Sequence, residues 1–443
     1  MNNNNNNNSF SNSNEGSNSC SNNSKDSNNA NNQSIEIMAP AGSYEALQAA
    51  IKAGANSVYF GIEKLNMRSR AANNFTTDDL KKIVAICQEK KVKTYLALNT
   101  VMYDNDLKLM REICDTAKEA GLTAVILSDI AALSYAREIG LEVHMSTQTN
   151  ISNFEAVKFY SQFSDVIVLA RELSLEQIKE IVDKIKEQNI RGPKGNLIEI
   201  EIFVHGALCV SISGKCYMSL ATYNFSANRG ACLQNCRRAY KVIDEETGDE
   251  LKLENKYIMS PKDLCTIGFL DKILDAGVRV LKIEGRGRAP EYVYTVVKAY
   301  REAIDCYING TYNQEKANKW IKELEKVFNR GFWQGGYYLG EKLGEWSNHH
   351  GSKATTKKVQ LGYVKNYFEQ AKVGHFLLEA NEVTVGDEIL IIGPTTGVVK
   401  AKVENIVING KKVDSAKAGD EITIPIKEKI RPNDKLYKIV PRN

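Results

Sequence analysis

From Ile35 onward, short β-branched and apolar runs alternate with amphipathic stretches of about ten to fifteen residues, and this alternation most narrows the folds open to the chain. The apolar runs fall at 35–39, 57–60, 93–98, 124–127, 142–145, 165–169, 199–204 and 279–283. Between them lie helical patterns at 44–53, 77–89, 106–120, 153–162 and 175–187. Gly54, Gly121 and Gly140 stand just ahead of the next run, where a helix commonly ends on a residue in the left-handed region. Eight strand-plus-helix units predict an α/β fold, a closed (β/α)8 barrel; an open doubly wound sheet shares the same periodicity.

A barrel places functional side chains just beyond the C-terminal ends of its strands. Those positions hold Gly61, Asn99, Asp129, Ser146-Thr147-Gln148, Arg171-Glu172, His205 and the Lys282 to Arg286 segment. Arg171, Lys282 and Arg286, with Gln148 and Asn99, form an expected binding set for a substrate carrying two carboxylates or phosphates, because guanidinium groups grip such oxygens in pairs. His205 and Glu284 are the candidate catalytic groups. The alternative is that Glu172 and Glu284 pair with these cations to close the top of the barrel.

Between the seventh and eighth runs lies an insertion, 206–277, with five cysteines. Six residues separate Cys209 from Cys216, fifteen separate Cys216 from Cys232, three separate Cys232 from Cys236, and Cys265 follows in Ser260-Pro-Lys-Asp-Leu-Cys265. This is not the paired Cys-x-x-Cys of a zinc ribbon. Thiolates gathered at a barrel mouth suit an iron–sulfur cluster; a four-thiolate zinc site and simply buried cysteines are the competing readings. Cys87, Cys114 and Cys306, on helical patterns, read as core residues.

The segment Glu201-x-Phe203-x-x-Gly206-Ala-Leu-Cys209-x4-Gly214-x-Cys216-x-Met-Ser219 resembles the signature of the collagenase-like peptidase family of unassigned catalytic type. Ile37 to Gly42, Asn228 to Cys232, Ser260 to Cys265 and Leu281 to Arg286 resemble it too, so the likeness spans nearly everything after residue 34. Within that family the chain most resembles the prephenate-dependent tRNA uridine hydroxylation branch, which adds a hydroxyl at the 5 position of the wobble uridine. The resemblance implies a [4Fe-4S] cluster, prephenate as co-substrate and tRNA as partner, with a homologous second chain as a further candidate. It implies Cys209, Cys216 and Cys232 as ligands, with Cys265 as the fourth and Cys236 as its alternative.

A peptidase needs an activated nucleophile, or a metal-bound water with a positioned base. The chain has no Gly-x-Ser-x-Gly elbow and no His-Glu-x-x-His, and only five histidines. Proteolysis through Cys209 and His205 is the second reading, since a thiol held by a cluster cannot also attack a peptide. A non-catalytic RNA-binding module with a structural metal is the third.

The formal charge of +4 is too mild to announce a nucleic-acid binder. No apolar stretch is long enough to span a membrane and no secretory leader is evident, so a cytoplasmic protein without a membrane partner is expected. Residues 1–34, mostly Asn and Ser, form an expected disordered tail in which Cys20 is no ligand. The barrel domain is assigned to 35–350. Basic and aromatic residues at 328–338, with Arg237, Arg238 and Lys241, would suit stacking and pairing with exposed bases. From 357 to 443, short alternating runs with Gly-Asp turns predict a small C-terminal β-barrel.

Overall fold

The computed structural model describes residues 35–70, 74–251, 256–333, 335–340 and 345–442. The Asn- and Ser-rich segment 1–34, with Cys20, lies outside the described residues.

Seven strands, β1 (Glu36–Pro40), β2 (Ser57–Phe60), β3 (Lys93–Leu98), β4 (Ala124–Leu127), β5 (Val143–Met145), β6 (Val166–Val168) and β7 (Glu199–Ala207), pair in parallel in sequence order. Three short strands of the insertion follow, β8 (Val242–Ile243), β9 (Glu250–Leu251) and β10 (Asp263–Cys265), and then β11 (Val280–Ile283). Because β11 pairs in parallel with both β1 and β7, the sheet closes on itself as an eight-stranded barrel and not as an open sheet.

Six helices connect the first seven strands: α1 (Tyr44–Lys52), α2 (Thr77–Glu89), α3 (Leu107–Glu119), α4 (Ile130–Glu138), α5 (Phe154–Tyr160) and α6 (Leu175–Glu187). Their starts are chemically marked. The Thr76 and Ser174 side chains each accept from a backbone N–H three residues on, while Asp79 and Gln177 reach back to complete capping boxes. Each helix turns an apolar stripe inward, Leu80, Ile83, Val84 and Cys87 on α2 and Ile178, Ile181, Val182 and Ile185 on α6. The short α4 escapes the periodicity because Ala132 and Ala136 supply most of its buried face.

The barrel interior is only partly apolar. Met38, Tyr59, Tyr95, Ile126, Val166 and Val280 pack there, and charged groups share the space. Lys282 Nζ lies 2.6 Å from Glu201 Oε1, both essentially buried. Glu36 receives Lys93 at 2.6 Å and the Tyr95 hydroxyl at 2.8 Å, and His144 stands 4.0 Å from Glu201 Oε2.

β7 is the longest barrel strand, and its end leaves the barrel to pair antiparallel with β10. The exit turns on Gly206, whose φ is +106° and where a Cβ would stand 2.4 Å from the Glu284 carbonyl oxygen. The insertion contains α7 (Met218–Tyr223) and, after β10, α8 (Leu270–Asp275). After β11 come α9 (Pro290–Ile308), α10 (Gln314–Glu325) and β12 (Phe332–Trp333), which pairs in parallel with β10.

The C-terminal module comprises β13 (Thr356–Phe368), β14 (Val373–Leu378), β15 (Glu382–Thr384), β16 (Glu388–Gly393), β17 (Gly397–Lys402), β18 (Ile406–Ile408), β19 (Lys411–Val413), β20 (Ser415–Lys417), β21 (Glu421–Pro425) and β22 (Lys435–Pro441). Eight of these form one antiparallel sheet in the order β17-β16-β22-β13-β14-β21-β18-β19. Val399 near one edge and Ile406 near the other join a single apolar cluster with Leu361, Phe376 and Ile422, so the sheet curls around a core of its own. β16 is buried on both faces: Ile389 and Ile391 enter that core, while Leu390 and Ile392 pack with Val398 against Ala49 of α1 and Tyr294 of α9. Among the described residues no helix is long and apolar enough to cross a membrane.

Candidate active site

The C-terminal ends of the barrel strands and the insertion enclose a cavity of about 240 Å³. Nearly every strand end contributes: Tyr59 from β2, Asn99 after β3, Ser146, Thr147 and Gln148 after β5, Arg171 after β6, Phe203 on β7, and Lys282, Glu284 and Arg286 from β11 and its exit. The barrel rule therefore places Asn99, Gln148, Arg171, Lys282, Glu284 and Arg286 in one space. Arg68, from the loop after β2, joins them, as do Arg237, Arg288 and Arg330. Arg68 and Tyr59 were not singled out from the sequence. Arg68 lies well past its strand, and Tyr59 sits within a strand whose inward face periodicity alone does not reveal.

These cations are not equivalent. Lys282 is held by Glu201, and Arg330 by Asp263 at 3.1 Å. Arg68 Nη2 binds Glu284 Oε1 at 2.6 Å, and the Tyr59 hydroxyl lies 3.2 Å from the other carboxylate oxygen. Burial alone would raise the Glu284 carboxyl, but Arg68, Arg286, Arg171 and Arg288 together hold it down at about 2. At neutral pH Glu284 is a fixed anion and a weak base.

Arg171 lies 4.1 Å above the Phe203 ring, and its Nε is buried without a hydrogen-bond partner among the described residues. Arg286 donates to Asn66 Oδ1 at 3.0 Å and, among the described residues, has no carboxylate in ion-pair contact. Gln148 Oε1, Thr147 Oγ1 and Asn228 Oδ1, all on cavity-lining residues, are likewise buried without a hydrogen bond among the described residues. Buried polar atoms left unpaired are costly, so their concentration here marks a surface shaped for a polar ligand.

One wall of the cavity is sulfur. Cys209, Cys216, Cys232 and Cys236 all line it, and no carboxylate stands among them. Burial pushes the Cys236 thiol up against the pull of Arg237, with a further push from Cys209, Cys232 and Cys216. The Arg237 guanidinium fastens this loop, donating to Ser260 Oγ at 3.1 Å, Leu208 O at 2.5 Å and the Pro261 carbonyl. Gly214 keeps the loop close to the barrel: its φ is +72°, and a Cβ there would meet Gln148 Oε1 at 2.5 Å. Asn150 Nδ2 donates to Ser213 O at 2.9 Å across the same seam.

An all-thiolate donor set fits either a cubane cluster or a four-cysteine zinc site. Zn–S bonds near 2.3 Å bring four sulfurs within about 4 Å of one another. Among the described residues no three His, Cys, Asp or Glu side chains converge in that way.

Two residues singled out from the sequence lie elsewhere. Cys265, on β10, is buried and does not line the cavity; its surroundings raise the thiol to about 12. β10 threads back beside β7, so Cys265 enters the wall next to Tyr300 and not the mouth. His205 is also buried outside the cavity, among Tyr292, Tyr300 and Phe332. Burial and the charge of Arg288 pull its imidazole down to about 3, so it is neutral.

A (β/α)8 barrel with a cation-rich mouth and a four-cysteine wall on an insertion after the seventh strand defines the class of protein. The model of peptidase family U32 matches residues 42–348, and the chain belongs to that family. A collagenase from Porphyromonas gingivalis (strain W83) is 59% identical over 407 residues, 92% of this chain and 98% of that one. tRNA hydroxylation protein P1 of Bacillus subtilis (strain 168) is 32% identical over 417 residues, covering 91% and 94%. The 23S rRNA 5-hydroxycytidine C2501 synthase of Escherichia coli (strain K12) is 33% identical over 319 residues, 70% of this chain and 46% of that one.

Proposed function

We infer that the protein hydroxylates a pyrimidine of RNA, with the 5 position of the wobble uridine of tRNA as the substrate atom and prephenate as the hydroxyl source. The observation that carries this reading is the cavity itself, where buried polar side chains and four cysteines line one space. Relatives named for tRNA and rRNA hydroxylation support the RNA substrate. Arg171 and Arg286 suit the two carboxylates of prephenate, which guanidinium groups hold with directional hydrogen bonds. Gln148, Asn228 and Thr147, which line the same cavity, bring amide and hydroxyl groups of the kind that pair with the edge of a base turned out of its stack. Glu284, pinned by Arg68 and Tyr59, places a negative charge among these cations and offsets their mutual repulsion.

Cys209, Cys216, Cys232 and Cys236 would hold a [4Fe-4S] cluster, which supplies a redox-active, Lewis-acidic centre when bound. Around it the chain's own residues exclude bulk water and hold the substrate carboxylates and the base edge in register. The expected compartment is the cytoplasm.

A second reading, proteolysis, is favoured by the relative named collagenase. The site offers it little: among the described residues no histidine lines the cavity, and no base stands ready to activate a thiol. Mass spectrometry of nucleosides from tRNA and rRNA of a deletion strain tests the two. Loss of one hydroxylated pyrimidine, restored by the intact gene, is expected; unchanged nucleosides together with collagen cleavage by the purified protein would reverse the order.

A further inference from the structure

A second concavity, about 800 Å³, lies where the C-terminal module meets α9 and α10. Seven basic and three acidic side chains line it, an excess of four cations in one place on a chain whose whole formal charge is +4. Two of the carboxylates are already used, Glu291 by Lys358 at 2.9 Å and Glu323 by Lys326 at 2.6 Å. Arg288, Lys357, Lys400, Lys402 and Arg442 have no carboxylate in ion-pair contact among the described residues. Lys357, Lys402 and Arg442 are exposed along this surface.

This groove adjoins the candidate active site. Gly287 and Arg288 line both spaces, and the Arg288 guanidinium lies 3.5 Å from the centroid of the half-buried Phe328 ring. A cation stacked on an aromatic ring, where a row of unpaired lysines meets the wall of a base-sized cavity, is the arrangement that single-stranded nucleic acid needs: charge for the backbone and a flat face for a base. The walls do not swing apart, since Lys400 donates to Thr295 Oγ1 at 3.0 Å and Lys52 to the Val398 carbonyl at 2.8 Å across the junction.

We propose that this groove is the track for the single-stranded RNA that flanks the modified base, so that the C-terminal module acts as half of the RNA-binding surface. The inference rests on the hydroxylation reading above. An acidic or collagen-like peptide is the competing occupant, and the spaced, unpaired cations beside a stacking face favour RNA.

The test is tRNA binding by the full chain, measured as a dissociation constant across a series of salt concentrations. The triple variant Lys357→Glu, Lys402→Glu, Arg442→Glu alters only exposed side chains. It is expected to bind about tenfold or more weakly at low salt, with a slope of log K against log salt shallower by about 2. A control triple, Lys411→Glu, Lys412→Glu, Lys427→Glu, places the same charge change on exposed positions outside the groove and is expected to lose much less. Equal binding by the groove variant and wild type would overturn the proposal, as would an equal loss in the control or no tRNA binding by the wild type. A collagen peptide that binds the wild type and is lost on the groove substitutions would also overturn it. Failure of the hydroxylation reading shows separately, as unchanged nucleosides in the deletion strain whatever the groove variants do.

Discussion

Lys282 and Glu201 form an ion pair at 2.6 Å inside the barrel, with 5% and 0% of their side chains exposed. A pair this deep stabilises little in itself, yet removing one partner leaves the other charge stranded. Lys282→Met is therefore expected to lower stability by ~3–5 kcal/mol, and Glu201→Leu on that background to restore most of it. Urea unfolding of Lys282→Met, Glu201→Leu and the double variant checks this. Additive losses would show that the pair does not act as a unit.

The sulfur wall makes a ligand-by-ligand prediction. After anaerobic reconstitution, Cys209→Ser, Cys216→Ser, Cys232→Ser and Cys236→Ser are each expected to lose most bound iron and acid-labile sulfide. Cys265→Ala should keep both and cost roughly 1 kcal/mol of stability. Iron loss in Cys265→Ala with full retention in Cys236→Ser would move the fourth ligand to β10.

His205 sets an acid limb. Its folded value of about 3 lies below the ordinary 6.5, so below pH 6.5 the unfolded chain takes up a proton that the folded chain refuses. Stability from this group is thus complete above about pH 6.5 and falls as pH drops toward 3, with a slope approaching ~1.4 kcal/mol per pH unit. His205→Leu should flatten that limb in urea midpoints taken between pH 7 and 4. A slope the same as wild type would assign the acid sensitivity elsewhere.

Glu284 behaves differently. With its carboxyl held at about 2 against an ordinary 4.5, its contribution is present above about pH 4.5 and is lost as pH falls toward 2. Across pH 5–9 it should add no ionisation of its own to the activity profile. Glu284→Gln should instead weaken substrate capture by freeing Arg68. A profile whose acid limb near neutrality vanishes in Glu284→Gln would contradict this assignment.

Gly206 allows β7 to leave the barrel. Gly206→Ala combines a left-handed φ with a contact 2.4 Å from the Glu284 carbonyl, and is expected to cost more than ~2 kcal/mol and to disturb the cavity. Soluble yield, thermal midpoint and nucleoside content of a complemented strain would show it; a variant matching wild type in all three would remove this role.

The eight barrel strands were legible because each is a short apolar run bounded by turn residues, whereas closure, which an open sheet of the same periodicity would lack, is decided by the pairing of β11 with both β1 and β7. The cavity was legible only where the rule of strand ends applies, as at Asn99, Gln148, Arg171 and Glu284. Arg68 reaches the site from far along a loop, and no local pattern reports such a reach. Cys265 is a related case: the family motif that suggests it as a ligand is local, whereas the antiparallel pairing of β10 with β7, which seats it in the wall, is a long-range event. Short α4 and the helix α10 passed unnoted, the first because alanine leaves a faint apolar stripe.

The double burial of β16 has a mechanical consequence. Hinging the C-terminal module away would wet Leu390, Ile392 and Val398 together with Ala49, so the two halves behave as one casting. The passage between them accordingly keeps its walls at a fixed spacing, set by the packing of β16 and not by whatever enters it.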